Sequence, residues 1–311
     1  MNNRRPSKLA NKHWSQAFFT EIIISVQPLQ GSYQHQTDII ELQDHSKWVC
    51  KTFSKHSWLG TSSPSQIAFT ASLTVLVAAK LGSTFAPVFS ACLEPNAANS
   101  SSRLIFPYCE GRVTDAVTEI QAFKLGGVLA QLHALRLPQD KAKMLPEIQL
   151  PATGTYPAWV STLVEHCNKY HDYDAENMVV SHRDIHLHNV VWKNEDTPHL
   201  IDWESAGLIH PFVELIGLAS NCSGLAVLIF DKKLFQAALA GYANDAKQLP
   251  RGDNILWGLT LHTWLLWYAY ALSQGWQENA RQTLQTINFI RGKLRELKRI
   301  YIEAARDLPN G

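Results

Sequence analysis

The stretch Ser181–Trp192, SHRDIHLHNVVW, decides how this chain reads. It sets His182, Asp184, His186, His188 and Asn189 within eight residues, between two apolar runs. Two chemistries need such crowding. Three imidazoles, His182 and His186 at i, i+4 and His186 and His188 at i, i+2, could ligate a transition metal. A loop that serves phosphoryl transfer needs instead an aspartate beside the transferred group, with an asparagine and a second aspartate holding a divalent ion across the phosphates. The pattern H-R-D-x-x-x-x-N followed by I-D-W at 201–203 supplies the second set. A loop leaving one strand presents Asp184, Asn189 projects where the chain re-enters a strand at Val190 and Val191, and the next strand, HLID, delivers Asp202. Mg²⁺ suits these hard oxygen donors, because it completes its octahedron with phosphate oxygens and water. Zinc suits them less, since no cysteine lies near and Asp and Asn interleave the histidines. Any one Asp or Asn near a strand end is most often a turn former, so the reading rests on the set.

A matching half lies upstream. In a phosphoryl-transfer lobe a loop between the first two strands covers the phosphates and a lysine on the third strand neutralises them. KWVCKTF places Lys51 on a third β-rich run, and Ser32, Tyr33 and Gln34 occupy the preceding loop. Taken alone, Lys51 reads as an exposed strand lysine.

The composition frames this reading. The 311 residues are 46% apolar and 18% charged, which is globular and long enough for two lobes. A net charge of +1, with Arg4, Arg5 and Lys8 as a short basic cluster, gives no face built to track nucleic acid. Lys12, His13 and Gln16 interrupt the opening where a signal peptide needs an apolar stretch, and later apolar runs carry polar breaks, so no membrane insertion is expected. Five scattered cysteines without a C-x-x-C pair fit reduced thiols in a cytoplasm. Oligomeric state is not readable.

The fold class expected is α+β, with a small antiparallel sheet before a large, mainly helical half. Residues 21–53 read as three strands in a meander, Pro64–Lys80 as a helix, and FAPVFSACLE and SRLIFPYC as two further strands around a polar loop. Helical spacing then dominates over 114–135, 157–170, 213–223, 232–242, 255–272 and 277–304, interrupted by the strands NMVVSH, NVVWK and PHLIDWE. The lobe boundary falls between Cys109 and Val113, giving a nucleotide-binding lobe over 1–110 and a lobe with the catalytic loop and substrate pocket over 111–311.

In order along the chain, Lys51, RLIFPYCEG, LGGVLAQLHAL, HRDIHLHN, LIDWESAG and ELIGLA resemble the aminoglycoside phosphotransferase and choline kinase superfamily, with its protein-kinase-like two-lobe fold. The resemblance covers nearly the whole chain. IDWE in place of D-F-G, together with the Trp-rich tail, is most similar to bacterial thiamine and choline kinases, with aminoglycoside kinases close behind. It implies an ATP- and Mg²⁺-dependent kinase acting on a hydroxyl of a small, cationic molecule. Asp184 would be the catalytic base or hydroxyl-orienting residue, Asn189 and Asp202 the magnesium ligands, and Lys51 the donor to the α- and β-phosphates. His182 would brace the loop. At the hinge, Pro107 would offer its carbonyl and Cys109 its N–H to adenine behind Phe106, so that proline's missing donor falls where none is needed.

Two departures bear on activity. The helix after the third strand normally offers a glutamate to the lysine, yet FTASLTVLVAAK holds no acid, and Ser72 or Thr70 stands near that place. The metal-site aspartate or a hydroxyl is the expected substitute, with a weakened clamp. The loop LQGSYQHQT is poor in glycine. A catalytically weak nucleotide- or ligand-binding protein is therefore the alternative, and a histidine-based metal hydrolase is a third reading.

For the acceptor, aromatic faces at Trp257, Trp264, Trp267, Tyr268, Tyr270 and Trp276 could hold a cation. Trp257, Trp264, Tyr268 and Leu272 also fall at core spacing, so one or two rings are expected at the ligand, with Trp264 and Trp267 as candidates. Glu204, directly beyond the metal site, is the best-placed acid. Glu165, Asp172, Asp174 and Glu176 read as a solvated charge run.

Overall fold

The computed structural model describes residues 18–29, 34–92, 102–152 and 154–306. Ser32, Tyr33, most of the polar loop after residue 95 and the N-terminal basic cluster lie outside the described residues.

Strands β1 (Ile23–Pro28), β2 (Gln36–Leu42) and β3 (Lys47–Thr52) form the expected meander. A short hairpin of β4 (His56–Ser57) and β5 (Gly60–Thr61) follows, then α1 (Pro64–Leu81), β6 (Phe89–Cys92) and β7 (Ser102–Pro107). The sheet order is β1-β2-β3-β7-β6, antiparallel throughout. Period-2 alternation sorts β3: Trp48 and Cys50 pack with Ile40, Leu42 and Ile105 into a small core on one face. Val49, Lys51 and Phe53 therefore share the opposite face, where Lys51 stands between Thr37 of β2 and Leu104 of β7. There Phe53, Leu104 and Phe106 meet Ile67 and Ala71 of α1.

Ser63 caps α1 by accepting from the Gln66 N–H, Pro64 takes the first turn and Gly82 closes it at φ 63°. By length and composition this helix is apolar enough to cross a membrane, which its polar interruptions had argued against. Within the fold it buries Ile67, Phe69, Leu73 and Val77.

Behind β7 come α2 (Glu119–Ala134), α3 (Ala158–Lys169), β8 (Val179–Ser181), β9 (Val190–Trp192), β10 (Pro198–Leu200) and β11 (Gly207–Ile209). Then follow α4 (Pro211–Cys222), α5 (Lys232–Ala246), α6 (Asn254–Leu259), α7 (His262–Ser273) and α8 (Gln277–Arg306). One large core, with Phe212, Phe235, Leu215 and Leu265 at its centre, joins these helices. The LGG of α2 has a packing reason: a β-carbon on Gly126 would run into the Ala238 carbonyl of α5, and one on Gly241 into that of Phe123. Glycine lets the two backbones touch.

The sequence expectation differs at several places, among them the β4–β5 hairpin and the helix from Lys232, which runs on to Ala246; three others have a plain physical cause. α2 begins at Glu119 rather than Thr114, because Thr118 and Gln121 form a reciprocal capping box. The helix expected over 255–272 is two, broken at Thr260, whose hydroxyl bonds the Trp257 carbonyl at 2.7 Å. β11 had no counterpart in the sequence reading; it exists by pairing with β8.

Candidate active site

Two antiparallel pairs, β8 with β11 and β9 with β10, set the catalytic segment. The turn from β8 to β9 carries residues 182–189, and the turn from β10 to β11 carries Asp202 and Glu204. Ile201 ties the turns together. Its N–H donates to the Asn189 carbonyl at 3.0 Å, and its carbonyl accepts from His182 Nε2 at 2.7 Å. The other His182 nitrogen, Nδ1, accepts from the Asp184 N–H at 3.3 Å. That pair of roles requires a neutral ring, and burial pushes the His182 pKa down. His182 is thus a brace between the turns.

The remaining histidines go elsewhere. His188 meets Asp115 at 2.8 Å on the surface, and His186 lies 3.9 Å from Asp184. With three separate partners the imidazoles form no common ligand set. Among the described residues no group of three or more His, Cys, Asp or Glu side chains is arranged around a metal position. A divalent ion such as Mg²⁺ needs only one or two protein oxygens when phosphate and water complete its shell. Asn189 commits its amide nitrogen to Asp184, at 2.9 Å from the carbonyl and 3.4 Å from Oδ2, so its oxygen is the atom left for a cation. Asp202 gives Oδ1 to Lys51 and keeps 43% of its side chain exposed.

Arg183 and Asp202 both adopt left-handed backbone, at φ 66° and 63°. Each costs on the order of 1 kcal/mol for a residue with a β-carbon. The Arg183 conformation is held from both sides. Its buried guanidinium donates to the carbonyls of Ser205 at 2.5 Å and Lys143 at 2.9 Å, and burial pulls its pKa down to about 10. Its N–H donates to Glu214 Oε1 at 2.6 Å. Glu214 Oε2 takes His133 Nε2 at 2.9 Å, and the Tyr242 hydroxyl closes the chain on His133 Nδ1 at 2.9 Å. Burial would raise the Glu214 carboxyl, but the hydrogen bonds from His133 and Arg183 outweigh it and hold it below the usual range. This buried chain from α5 through α2 and α4 fixes the backbone next to Asp184.

Lys51, 5% exposed, places Nζ 2.5 Å from Glu204 Oε1 and 2.9 Å from Asp202 Oδ1. Asp202, expected as the substitute partner, does pair with the lysine, but a second and nearer carboxylate, Glu204, shares it, and among the described residues no hydroxyl takes that place. Burial alone would neutralise Lys51, yet the two acids raise its pKa and keep it charged. Burial lifts Glu204 to about 6 in spite of Lys51. Burial acts on Asp202 in the same sense, but Lys51 prevails and holds it low. His35 Nε2 lies 4.0 Å from Glu204, and burial, then Lys51, lowers its pKa to about 4.

A single cavity of about 980 Å³ runs along these groups. Phe106, Pro107, Tyr108 and Cys109 line it beside β3; Lys51, Asp184, Asn189, Asp202 and Glu204 line its middle; Trp264 and Trp267 line the end formed by α4 and α7. Glu204, expected at the acceptor, sits instead against the lysine. Trp257 packs edge-on against Phe212 and Tyr301, and Tyr268 is buried beside Tyr156. Glu165, Asp172, Asp174 and Glu176 are not among the lining residues. The sequence reading missed Glu204 as the lysine's partner and the chain from Glu214 to Tyr242. Their signals were acids and a histidine inside otherwise apolar motifs, IDWE, ELIGLA and LAQLH.

A model of the phosphotransferase enzyme family matches residues 25–249. The chain belongs to that family. No curated protein matches it in sequence. Among solved structures it is similar to a spectinomycin phosphotransferase in complex with ADP and spectinomycin, at 15% identity over 92% of this chain and 94% of that one, with a TM-score of 0.62. A choline kinase of Streptococcus pneumoniae matches at 14% identity over 88% and 96%, with a TM-score of 0.60. One described as a putative aminoglycoside phosphotransferase from Ralstonia eutropha matches at 16% over 98% and 100%, with a TM-score of 0.59. The fold is the protein-kinase-like one of the aminoglycoside phosphotransferase and choline kinase superfamily, and the family's activity is small-molecule phosphotransfer.

Proposed function

We propose that this family member is an ATP-dependent kinase that moves the γ-phosphoryl group to a hydroxyl of a small organic molecule, with Mg²⁺ as its divalent ion. The observation that carries the reading is the meeting of Lys51 with Asp202 and Glu204, at 2.9 and 2.5 Å, on the same cavity as Asp184 and Asn189. An ammonium has three donors, and two carboxylates leave a third for a phosphate oxygen. Asp202 and the Asn189 oxygen would hold the metal, which when bound neutralises charge on the phosphates. Asp184, on the wall of the same cavity, would serve the acceptor hydroxyl as its base. The acceptor oxygen attacks the γ-phosphorus while the bond from that phosphorus to the β–γ bridging oxygen breaks. ADP leaves with the electron pair, and the hydroxyl proton passes to Asp184. Adenine would lie against Phe106 and the 107–109 backbone, opposite Val49 and Ile39. Trp264 and Trp267 suit an acceptor with a single organic cation, the thiamine and choline type, and the structures to which the chain is similar include a spectinomycin phosphotransferase and a choline kinase.

The test is Mg²⁺-dependent ADP release with amino alcohols, thiamine and aminoglycosides as acceptors. Acceptor-stimulated turnover that is abolished by Asp184→Ala and by Asp202→Ala supports the reading. Nucleotide binding without turnover on any acceptor would assign the chain to catalytically weak binding proteins.

A further inference from the structure

The acceptor end of the cavity has its own chemistry. Five acids line the whole cavity: Asp115, Asp184, Asp202, Glu204 and Glu214. Of these, Asp184 would face the acceptor hydroxyl and Glu214 lies on the α4 wall, where both its oxygens are taken, by His133 and by the Arg183 N–H. A polycation entering here finds no carboxylate beyond Asp184 to pair with, and burying its further charges unpaired is costly.

What the end offers is room and apolar surface. On α4, Val213, Gly217 and Asn221 follow one another at four-residue spacing and all face the cavity. Gly217 weakens the interior of a helix and has no packing reason to be there: a β-carbon at that position would meet nothing within 4 Å. This differs from Gly126 and Gly241, where a neighbouring backbone fills the space. The missing side chain enlarges the cavity. Beyond it, the loop after α4 presents Val227, Leu228 and Ile229, which are 64%, 45% and 63% exposed, and Val227 itself lines the cavity. The loop is anchored rather than loose, through Thr286 to the Ala226 carbonyl at 3.2 Å and the Asp231 N–H to the Ser223 carbonyl at 2.9 Å. Three consecutive exposed apolar residues at a cavity mouth extend its apolar wall outward.

We infer that the acceptor is an alcohol carried on an extended apolar body with at most one positive charge, its body lying between Gly217 and the lip formed by residues 227–229. This rests on the phosphotransfer reading and narrows it.

The experiment is calorimetric binding of alkyl β-glucosides, from methyl to octyl and below micelle-forming concentrations, and of kanamycin as a polycation. Each is titrated into the protein with Mg²⁺ and AMP-PNP. Affinity should rise by about fourfold per added methylene until the cavity is filled, and kanamycin should bind more weakly than the octyl member. Gly217→Phe should remove the gain with chain length, and Val227→Ser should reduce it for the longest members alone. AMP-PNP affinity, measured on both variants, reports that each is folded. Affinity that is flat with chain length, kanamycin binding tighter than every glucoside, or a gain that survives Gly217→Phe overturns the inference. None of these outcomes touches the phosphotransfer reading, which fails separately if the chain binds no nucleotide or never releases ADP.

Discussion

The two ends of the cleft are built on different principles. At the donor end the charged groups hold one another: Lys51 sits between Asp202 and Glu204, at 2.9 and 2.5 Å. At the acceptor end the walls are Trp264, Trp267, Val213, Val227 and the space over Gly217, and the Glu214 carboxylate on that wall is already spent. The contrast follows from what each end must do. A phosphoryl group in flight demands fixed charges at fixed positions, whereas an acceptor is chosen mostly by shape and desolvation.

The contrast breaks first at Asp184. Asp184→Asn should lower kcat by roughly 10²–10⁴ while Mg²⁺-ATP affinity stays near the parent value, as read by ADP release and calorimetry. Equal losses in both would mean that Asp184 builds the site rather than serves the reaction. Next comes the support beneath it. Glu214→Ala leaves the Arg183 N–H and His133 without their buried acceptor and should cost about 3–5 kcal/mol in urea unfolding. A cost below about 1 kcal/mol would show that the chain from Tyr242 to Arg183 is not what holds the catalytic turn.

How much of this was legible in the sequence divides along the same line. HRDIHLHN and LIDWE pointed to the donor groups because their chemistry requires particular residue types at particular spacings, and Lys51 followed from its place on the third strand. The second partner of Lys51, Glu204, was not legible. The glutamate was sought on α1, where kinase-like folds place it, and the turn at 203–205 that swings Glu204 back toward β3 is set by the Asp202 backbone and by Trp203 bonding the Leu200 carbonyl. β11 was missed for a related reason, since three residues become a strand only through a distant partner. The break at Thr260 was hidden because apolar spacing continues unchanged across it. Of the acceptor end, the sequence offered aromatic rings at core spacing, and only the packing separates Trp264 and Trp267 on the cavity from Trp257 and Tyr268 in the interior.

The acceptor end can be altered without touching the donor end. Trp264→Ala should lower kcat/KM for the acceptor by roughly 30-fold, the loss expected of a central aromatic anchor, and leave KM for ATP within about twofold. A matching rise in KM for ATP would show that the two ends do not act independently.

The central claim is that Glu204 supplies the carboxylate missing from α1, and the pH dependence of kcat/KM for ATP tests it most directly. Burial raises Glu204 to about 6, so its charge, and with it the ion pair to Lys51, is present above that pH and lost as pH falls through it. The other charged neighbours do not titrate there: Asp202 is held low, Lys51 is held high and His35 titrates near 4. Glu204→Gln should therefore cost roughly tenfold above pH 7, and the parent and variant profiles should converge below pH 5. A ratio of parent to variant that stays constant across pH 5–8, or a parent profile with no step near 6 that Glu204→Gln removes, would contradict it.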